Sequence, residues 1–153
     1  MNNVVENAFY RQDITVPLEA IDENGHLNNV TYIQWMQDIA IAHANHTSCT
    51  AATAKTGATW IARSHKIEYL RPAFEGEQLV LFTWIASIRR ARSQRKYQFL
   101  RLSDQALIAI GETDWVFVNR ETGKPQTIPP IVTSAFEIIS DERSLTLKST
   151  ILK

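Results

Sequence analysis

The sequence predicts an α+β domain in which one long, buried helix is followed by four antiparallel strands. Residues 29–46 carry apolar side chains at helical spacing, and four β-rich segments come after them, the last two joined by a three-residue link. The chain has 153 residues, 44% of them hydrophobic, which suits one domain with one core. We assign residues 1–153 to a single domain, with a core at about 9–130 and a tail at 131–153.

The first strand and the helix follow from two different periods. Residues 9–18 are β-rich and partly alternate, with Tyr10, Ile14 and Val16 on the apolar side, so they predict the first strand. In residues 29–46 the apolar side chains cover most of the helix surface and leave only a narrow polar stripe. This pattern predicts a mostly buried helix, and the small, polar residues 47–59 predict a connection.

Four strands are predicted at residues 60–70, 78–88, 94–102 and 106–118. Residues 78–88 are apolar at both alternating sets of positions, which is typical of an internal strand. The link at residues 103–105 is short enough for an antiparallel hairpin. Residues 121–130 contain three prolines and end the sheet, and a short helix is expected near 133–138.

Composition excludes several classes of partner. The formal net charge is zero and the pI is near 6.9, so we expect no binding to nucleic acid or to an anionic membrane. No segment approaches the ~18 apolar residues of a membrane span. With Cys49 as the single cysteine an internal disulfide is impossible, and the start of the sequence lacks the pattern of a secretory signal, so we expect a cytoplasmic protein.

The segment DENGHLNNVTY, residues 22–32, is the best candidate for chemistry. Asp22 and Gly25 suit a tight turn, and Asn28 or Asn29 suits a helix N-cap. This order would hold a carboxylate beside a helix start, where amide groups and the helix dipole favour negative charge. Such a pairing is suited to attack on a carbonyl.

The spacing D-x-x-G-H-x-N-N-x-x-Y, from Asp22 to Tyr32, resembles the active-site signature of the 4-hydroxybenzoyl-CoA thioesterase family within the hot-dog fold superfamily. The segment IEYLRPAFEGEQLVLFTWI, which follows Trp60, is similar to two strands of that family, and Ser93 stands where the next strand would begin. The resemblance spans roughly residues 9–118. It implies a five-stranded sheet wrapped around the helix, and a homodimer that is often doubled to a tetramer.

The resemblance implies an acyl-CoA thioesterase, which converts a thioester and water to a carboxylic acid and coenzyme A. Asp22 would act as base or nucleophile, and backbone amides near His26 to Asn29 would hold the oxyanion, with Gly25 and Asn28 shaping the loop. No metal or further cofactor is required, because coenzyme A is part of the substrate. Three alternatives remain at this stage: a non-catalytic module that binds acyl-CoA or an acyl carrier protein, a dehydratase or hydratase, whose different Asp/His arrangement argues against it, and a purely structural subunit.

Further residues are assigned to substrate binding. The resemblance suggests that Arg89, Arg90 and Arg92 meet the phosphates of coenzyme A, although a charge run is more often a solvated strand end. Aromatic residues are expected to line the acyl pocket, and we assign substrate contacts to Tyr32, Trp60 and Ser93. A nucleophilic role for Cys49 and a metal site at His43 and His46 are not expected, and the choice between fatty and aromatic acyl groups stays open.

Overall fold

The structure, a computed structural model, describes residues 8–140. The strands are β1 (Phe9–Thr15), β2 (Ala58–Tyr69), β3 (Gln78–Arg89), β4 (Arg92–Arg101) and β5 (Leu107–Asn119). The α-helices are α1 (Asn29–His46), α2 (Cys49–Ala54) and α3 (Pro130–Thr133), and Leu18–Ala20 forms one 3-10 turn. The five strands form one antiparallel sheet in the order β1-β3-β4-β5-β2.

Helix α1 has the predicted bounds and lies against one face of the sheet. Tyr32, Met36 and Ile39 on the helix pack with Leu79 of β3 and Phe99 of β4 in the main core. The side chains of this core are almost wholly shielded from solvent, which is the largest source of stability for a domain of this size. The expected α+β hot-dog fold, a sheet wrapped around one long helix, is confirmed.

The sheet also confirms two finer predictions. Strands β4 and β5 form the expected antiparallel hairpin across residues 102–106. Strand β3 lies between β1 and β4, so it is internal, and its second apolar face packs in a separate cluster with Ala8, Phe9 and Leu100. Both faces of β3 are therefore covered, as its sequence pattern indicated.

Three predicted elements need correction. The first strand ends at Thr15 and not at residue 18, because Pro17 has no N–H to donate to the sheet. The connection 47–59 contains α2, and the short helix expected near 133–138 begins earlier, at Pro130. Residues 141–153 of the predicted tail lie outside the described residues.

Strand β2 forms one edge of the sheet, where a strand of a second molecule could pair. One side of β2 bonds to β5, and its other side has no strand partner among residues 8–140. An unpaired edge of 12 residues is a template for pairing with another chain.

Candidate active site

The Asp22 carboxylate is held in place by the backbone of its own loop. Its Oδ1 atom accepts hydrogen bonds from the amides of Asn24 at 2.9 Å and His26 at 3.2 Å. The Asp22 amide donates to the His26 carbonyl at 2.8 Å, and Gly25 turns the chain with a φ of 79°. Within the described residues Oδ2 accepts no hydrogen bond, so this oxygen is the one available to a water or a substrate.

The fold itself uses most of the amides expected to hold an oxyanion. The His26 amide is bonded to Asp22, the Leu27 amide donates to the Ala73 carbonyl at 2.8 Å, and the Asn28 amide donates to the Ala20 carbonyl at 2.8 Å. These three donors are therefore occupied within the chain.

The Asn29 amide is the exception at this helix start. Asn28 is the N-cap of α1, and its Oδ1 atom accepts from the Val30 amide at 2.9 Å. The Asn29 amide, at the first position of the helix, makes no hydrogen bond within residues 8–140. Of the amides from His26 to Asn29, the Asn29 amide is therefore the one with no partner among the described residues, and it lies at the positive end of the dipole of an 18-residue helix.

Aromatic side chains of β2 and of the core contact the first turn of α1. The Tyr69 hydroxyl, at the end of β2, donates to the Asn29 carbonyl at 2.7 Å. Tyr32 is buried, with its ring against Phe99 and Tyr69, and burial raises the pKa of Tyr32 to about 12. Tyr32 therefore lies in the core under the loop, whereas His26 is exposed and meets Phe74 edge-on.

A cavity of about 410 Å³ lies between the second half of α1, α2 and the inner face of the sheet. Two of the assigned substrate contacts, Trp60 and Ser93, line it, and no residue of the 22–29 loop does. Cys49 also lines it, and burial raises the pKa of this thiol, which disfavours the nucleophilic thiolate. The other lining side chains are mostly apolar or small, including Ala40, Ile41, Ala44, Thr53, Ile85, Ile88, Val132 and Phe136.

Arg95 is the residue of this cavity that the sequence assignments left out. It is 4% exposed, and its Nη1 atom donates to His43 Nδ1 at 2.9 Å and to Thr83 Oγ1 at 3.1 Å. Side chains alternate along β4, so Arg95 shares the inner face with Tyr97 and Phe99 and points away from Arg92. In the sequence Arg95 belongs to the same basic cluster as Arg89, Arg90 and Arg92, and the alternation along the strand could have separated it from them.

The remaining arginines line a groove of about 880 Å³ around the β3–β4 turn. Arg89 and Arg90 are exposed there, and Arg90 occupies the turn with a φ of 56°. Arg92 forms a bidentate ion pair with Asp114, so part of the Arg92 charge is already neutralised within the chain. The groove also contains Arg63 and Lys66, which leaves it positive despite Glu112 and Asp114.

The assigned residues thus fall into three places: the Asp22 loop with Asn29, the cavity with Trp60 and Ser93, and the arginine groove. The cavity and the groove have no lining residue in common, and neither includes the loop. Among residues 8–140, His, Cys, Asp and Glu side chains form no cluster of three or more that could hold a metal ion. No helix in that part of the chain is long and apolar enough to span a membrane.

Comparisons with known proteins agree with this fold. Residues 16–136 match the family model of the thioesterase-like superfamily. No curated protein sequence matches the chain significantly.

Several solved structures are similar to this chain. A probable thioesterase from Escherichia coli superposes with a TM-score of 0.76 at 14% identity, over 82% of this chain and 94% of that one. A 1,4-dihydroxy-2-naphthoyl-CoA thioesterase from Synechocystis superposes with a TM-score of 0.73 at 17% identity, over 83% of this chain and 94% of that one. A Staphylococcus aureus protein in complex with CoA superposes with a TM-score of 0.76 at 16% identity, over 91% of this chain and 92% of that one.

The family model covers most of the described residues, including the Asp22 loop, α1 and all of β2 to β5. These similarities in structure, at such low identity, establish the fold that the sheet order already showed. The chain belongs to the thioesterase-like superfamily with the hot-dog fold, and its enzyme class is thioester hydrolase.

Proposed function

We propose that this protein is an acyl-CoA thioesterase whose chemistry is carried out at the Asp22 loop. The observation that carries the proposal is the pairing of a fixed carboxylate with an unused helix-start amide. One oxygen of Asp22 accepts from two amides, and the other accepts no hydrogen bond from residues 8–140. The Asn29 amide lies seven residues further along the same loop and helix start. A base and an oxyanion donor are the two parts that thioester hydrolysis needs.

The reaction follows from these two groups. The thioester carbonyl accepts a hydrogen bond from the Asn29 amide, and the field of α1 stabilises the negative charge that develops on its oxygen. Asp22 Oδ2 then either accepts a proton from the attacking water or attacks the carbonyl carbon itself. In both routes the tetrahedral intermediate collapses with departure of the coenzyme A thiolate. When water is the nucleophile this step gives the carboxylic acid directly, whereas attack by Asp22 leaves a mixed anhydride on Asp22, and a water must then hydrolyse it to release the acid and restore the carboxylate.

Coenzyme A is proposed to lie along the arginine groove. Its phosphates would meet Arg89 and Arg90, which are exposed and have no acid partner among the described residues, more readily than Arg92, whose guanidinium is paired with Asp114. The Staphylococcus aureus protein with the same fold is in complex with CoA, which supports coenzyme A as the carrier.

A second copy of the chain is proposed to complete the site. Trp60 and Tyr69 stand nine residues apart on β2, or about 30 Å at ~3.3 Å per residue. The cavity is at the Trp60 end and the Asp22 loop is at the Tyr69 end, since Tyr69 bonds to Asn29. Antiparallel pairing of two β2 edges about their midpoint would place each loop beside the partner's cavity, in a homodimer or a tetramer built from it.

The first experiment measures thiol release from short, long and aromatic acyl-CoAs by the native protein and by Asp22→Asn. The variant keeps the oxygen that accepts the Asn24 and His26 amides but removes the base, so we expect folded protein with thiol release lowered at least about 100-fold. Loss of thiol release in the variant would identify Asp22 as the catalytic residue, and the acyl-CoA that the native protein hydrolyses fastest would identify the acyl class. If acyl-CoAs bind to the native protein but no thiol appears, the protein is a binding module and the proposal is wrong.

A backbone variant tests the oxyanion donor directly. Asn29→Pro removes only the amide proton and the side chain, and proline is well tolerated at the first position of a helix. The preceding residue, Asn28, already has the extended backbone that proline requires, with φ −61° and ψ 131°. Asn29→Ala removes the side chain and keeps the amide, so the ratio of the two rates isolates the amide. We expect kcat to be about 100-fold lower in the proline variant than in the alanine variant, and equal rates would exclude the Asn29 amide.

A further inference from the structure

Arg95 is a charged side chain buried on the inner face of the sheet. It is 4% exposed, and no carboxylate pairs with it among residues 8–140. Both of its hydrogen bonds go to neutral acceptors, Thr83 Oγ1 and His43 Nδ1, because an arginine can only donate and the imidazole nitrogen must therefore be unprotonated. The Phe136 ring, 5.5 Å from the guanidinium carbon, adds a cation–π contact but no charge.

The guanidinium retains unused donors. Both hydrogen bonds start from Nη1, and within the described residues Nη2 and Nε donate to no side chain or carbonyl. Burying a charge is costly unless it is paired and hydrogen-bonded, and arginine cannot escape the cost by losing its proton. The fold therefore holds a planar cation in place with part of its hydrogen-bonding capacity open.

The cavity next to Arg95 has the chemistry of a site for an amphipathic anion. Arg95 lines it, and among residues 8–140 the only other charged side chain on its walls is Arg120, which is exposed. Within the same residues no aspartate or glutamate lines it, and most of the wall is apolar. A volume of about 410 Å³ lies in the ~300–1,000 Å³ range of small-molecule pockets. A ligand with an apolar body and a single anionic end fits these walls.

A carboxylate suits the open donors better than a phosphate does. The free edge of the guanidinium, Nε with Nη2, can bind either anion in a forked geometry, but one cation balances the single charge of a carboxylate and not the two charges of a phosphate dianion. The cavity is moreover separate from the arginine groove proposed for the phosphates of coenzyme A.

We propose that the cavity receives an acyl group that ends in a second carboxylate, and that Arg95 binds that carboxylate. This inference rests on the proposed thioesterase function, which it sharpens by naming the substrate class as dicarboxylic acyl-CoA. The apolar wall with Trp60 would hold the methylene chain, and Thr83 and His43 would keep the guanidinium in position.

The test compares succinyl-, glutaryl-, adipyl- and suberyl-CoA with butyryl-, valeryl-, hexanoyl- and octanoyl-CoA, which match them in length but end in a methyl group. We expect the native enzyme to favour the carboxylate-terminated member of at least one pair by 10-fold or more in kcat/KM. In Arg95→Met, which keeps the length and removes the charge, we expect this preference to be lost or reversed while hydrolysis of the methyl-terminated partner is retained. A change in packing alone would lower both members of a pair together.

The matched control is Arg11→Met, on the outer strand β1 at the opposite edge of the sheet from β2. It should leave the preference unchanged. If Arg95→Met does not fold, Arg95→Gln tests the role of Arg95, and the preference of the native enzyme alone tests the substrate class. Equal rates for both members of every pair would overturn the inference and leave the thioesterase proposal standing.

A binding measurement separates the two proposals. Titration of the native protein with hexanoate and with hexanamide compares a carboxylate with a neutral group of the same size. If no acyl-CoA is hydrolysed but hexanoate binds at least 10-fold more tightly than hexanamide, and only when Arg95 is present, the cavity assignment stands and the thioesterase proposal fails. If hexanoate binds through Arg95 while the acyl-CoA pairs are hydrolysed equally, Arg95 meets the released acid, and the substrate class proposed here is wrong.

Discussion

The contact between α1 and the sheet at Gly111 offers a sharp test of how the site is supported. Gly111 lies on β5 opposite Tyr97 of β4, and a Cβ atom there would lie 2.8 Å from Met36 Sδ and 3.0 Å from Met36 Cε. Met36 is fully buried, so its side chain has no open space into which it can move. Helix α1 therefore rests directly on the β5 backbone at this point.

We expect Gly111→Ala to lower the free energy of unfolding by about 1–2 kcal/mol. Overpacking a core costs about 1–3 kcal/mol, and the better backbone propensity of alanine in a strand offsets about 0.5–1 kcal/mol of it. For a domain of this size the change corresponds to a Tm lower by about 2–8 °C. Urea unfolding followed by circular dichroism, with an unchanged slope, measures it.

A double-mutant cycle identifies the cause. Met36→Ala alone should lower the free energy of unfolding by about 2–5 kcal/mol. In the double variant the loss should be smaller than the sum of the two single losses by about 1 kcal/mol or more, because the methyl group introduced by Gly111→Ala occupies space that the Met36 side chain has vacated. Gly57→Ala is the control: no atom lies within 4 Å of its Cβ, and its φ of 73° alone opposes the change, so Met36→Ala should not rescue it. Additive effects at Gly111 and Met36 would refute a close helix–sheet contact there.

Two further predictions concern the loop and the residue beneath it. Asn28→Ala removes the side chain that caps the Val30 amide and should lower the free energy of unfolding by about 1 kcal/mol, whereas Asn28→Asp keeps the cap and should keep the stability. Thermal unfolding measures the difference, and equal Tm values for the native protein and both variants would contradict a capping role. Burial raises the pKa of Tyr32 from 10.0 to about 12 in the folded protein, above its value in the unfolded chain. The contribution of the protonated Tyr32 to folding stability is therefore complete below pH 10 and is lost as the pH rises through 12. Tyr32→Phe should therefore show a smaller fall in Tm between pH 9 and 12 than the native protein, and identical slopes would contradict this.

The main elements were predictable because each has a local signal. Helix α1 combines an apolar period with the Asn28 cap, and the structure begins and ends it at the predicted residues. Strand β3 is apolar on both faces, and this pattern indicated its internal place in the sheet. In both elements local preference and tertiary packing agree, so the sequence pattern alone was sufficient.

The elements that prediction missed lack such a signal or carry it weakly. Helix α2 has the sequence CTAATA, which has little amphipathic contrast, and it is stabilised instead by burying Cys49, Ala52 and Thr53. Helix α3 has Pro130 at its first position, a start signal that was present but was outweighed by the neighbouring Pro129. Tertiary contacts decided both cases.

The site shows the same division. The turn at Asp22 and the cap at Asn28 follow from residue types, and both are present. Which amides are occupied does not follow, because the acceptor for Leu27 is the carbonyl of Ala73, 46 positions further along the chain. Nor could the sequence show that Arg95 has no acid partner among residues 8–140, since that depends on every element packed around the cavity.

The separation along β2 connects the two proposals. An eight-carbon acyl chain spans roughly 10 Å, whereas the Trp60 end of β2 is about 30 Å from the Tyr69 end at ~3.3 Å per residue. A single chain could then hydrolyse thioesters at the Asp22 loop without any contribution from Arg95, but it could not discriminate the far end of the acyl group. Discrimination by Arg95 therefore requires the β2 edge to be paired, and a preference for carboxylate-terminated substrates that disappears when the protein is diluted below its dimer dissociation constant would connect the two. A preference that persists in a proven monomer would instead place the acyl group along a path within one chain, and the edge-paired arrangement would have to be abandoned.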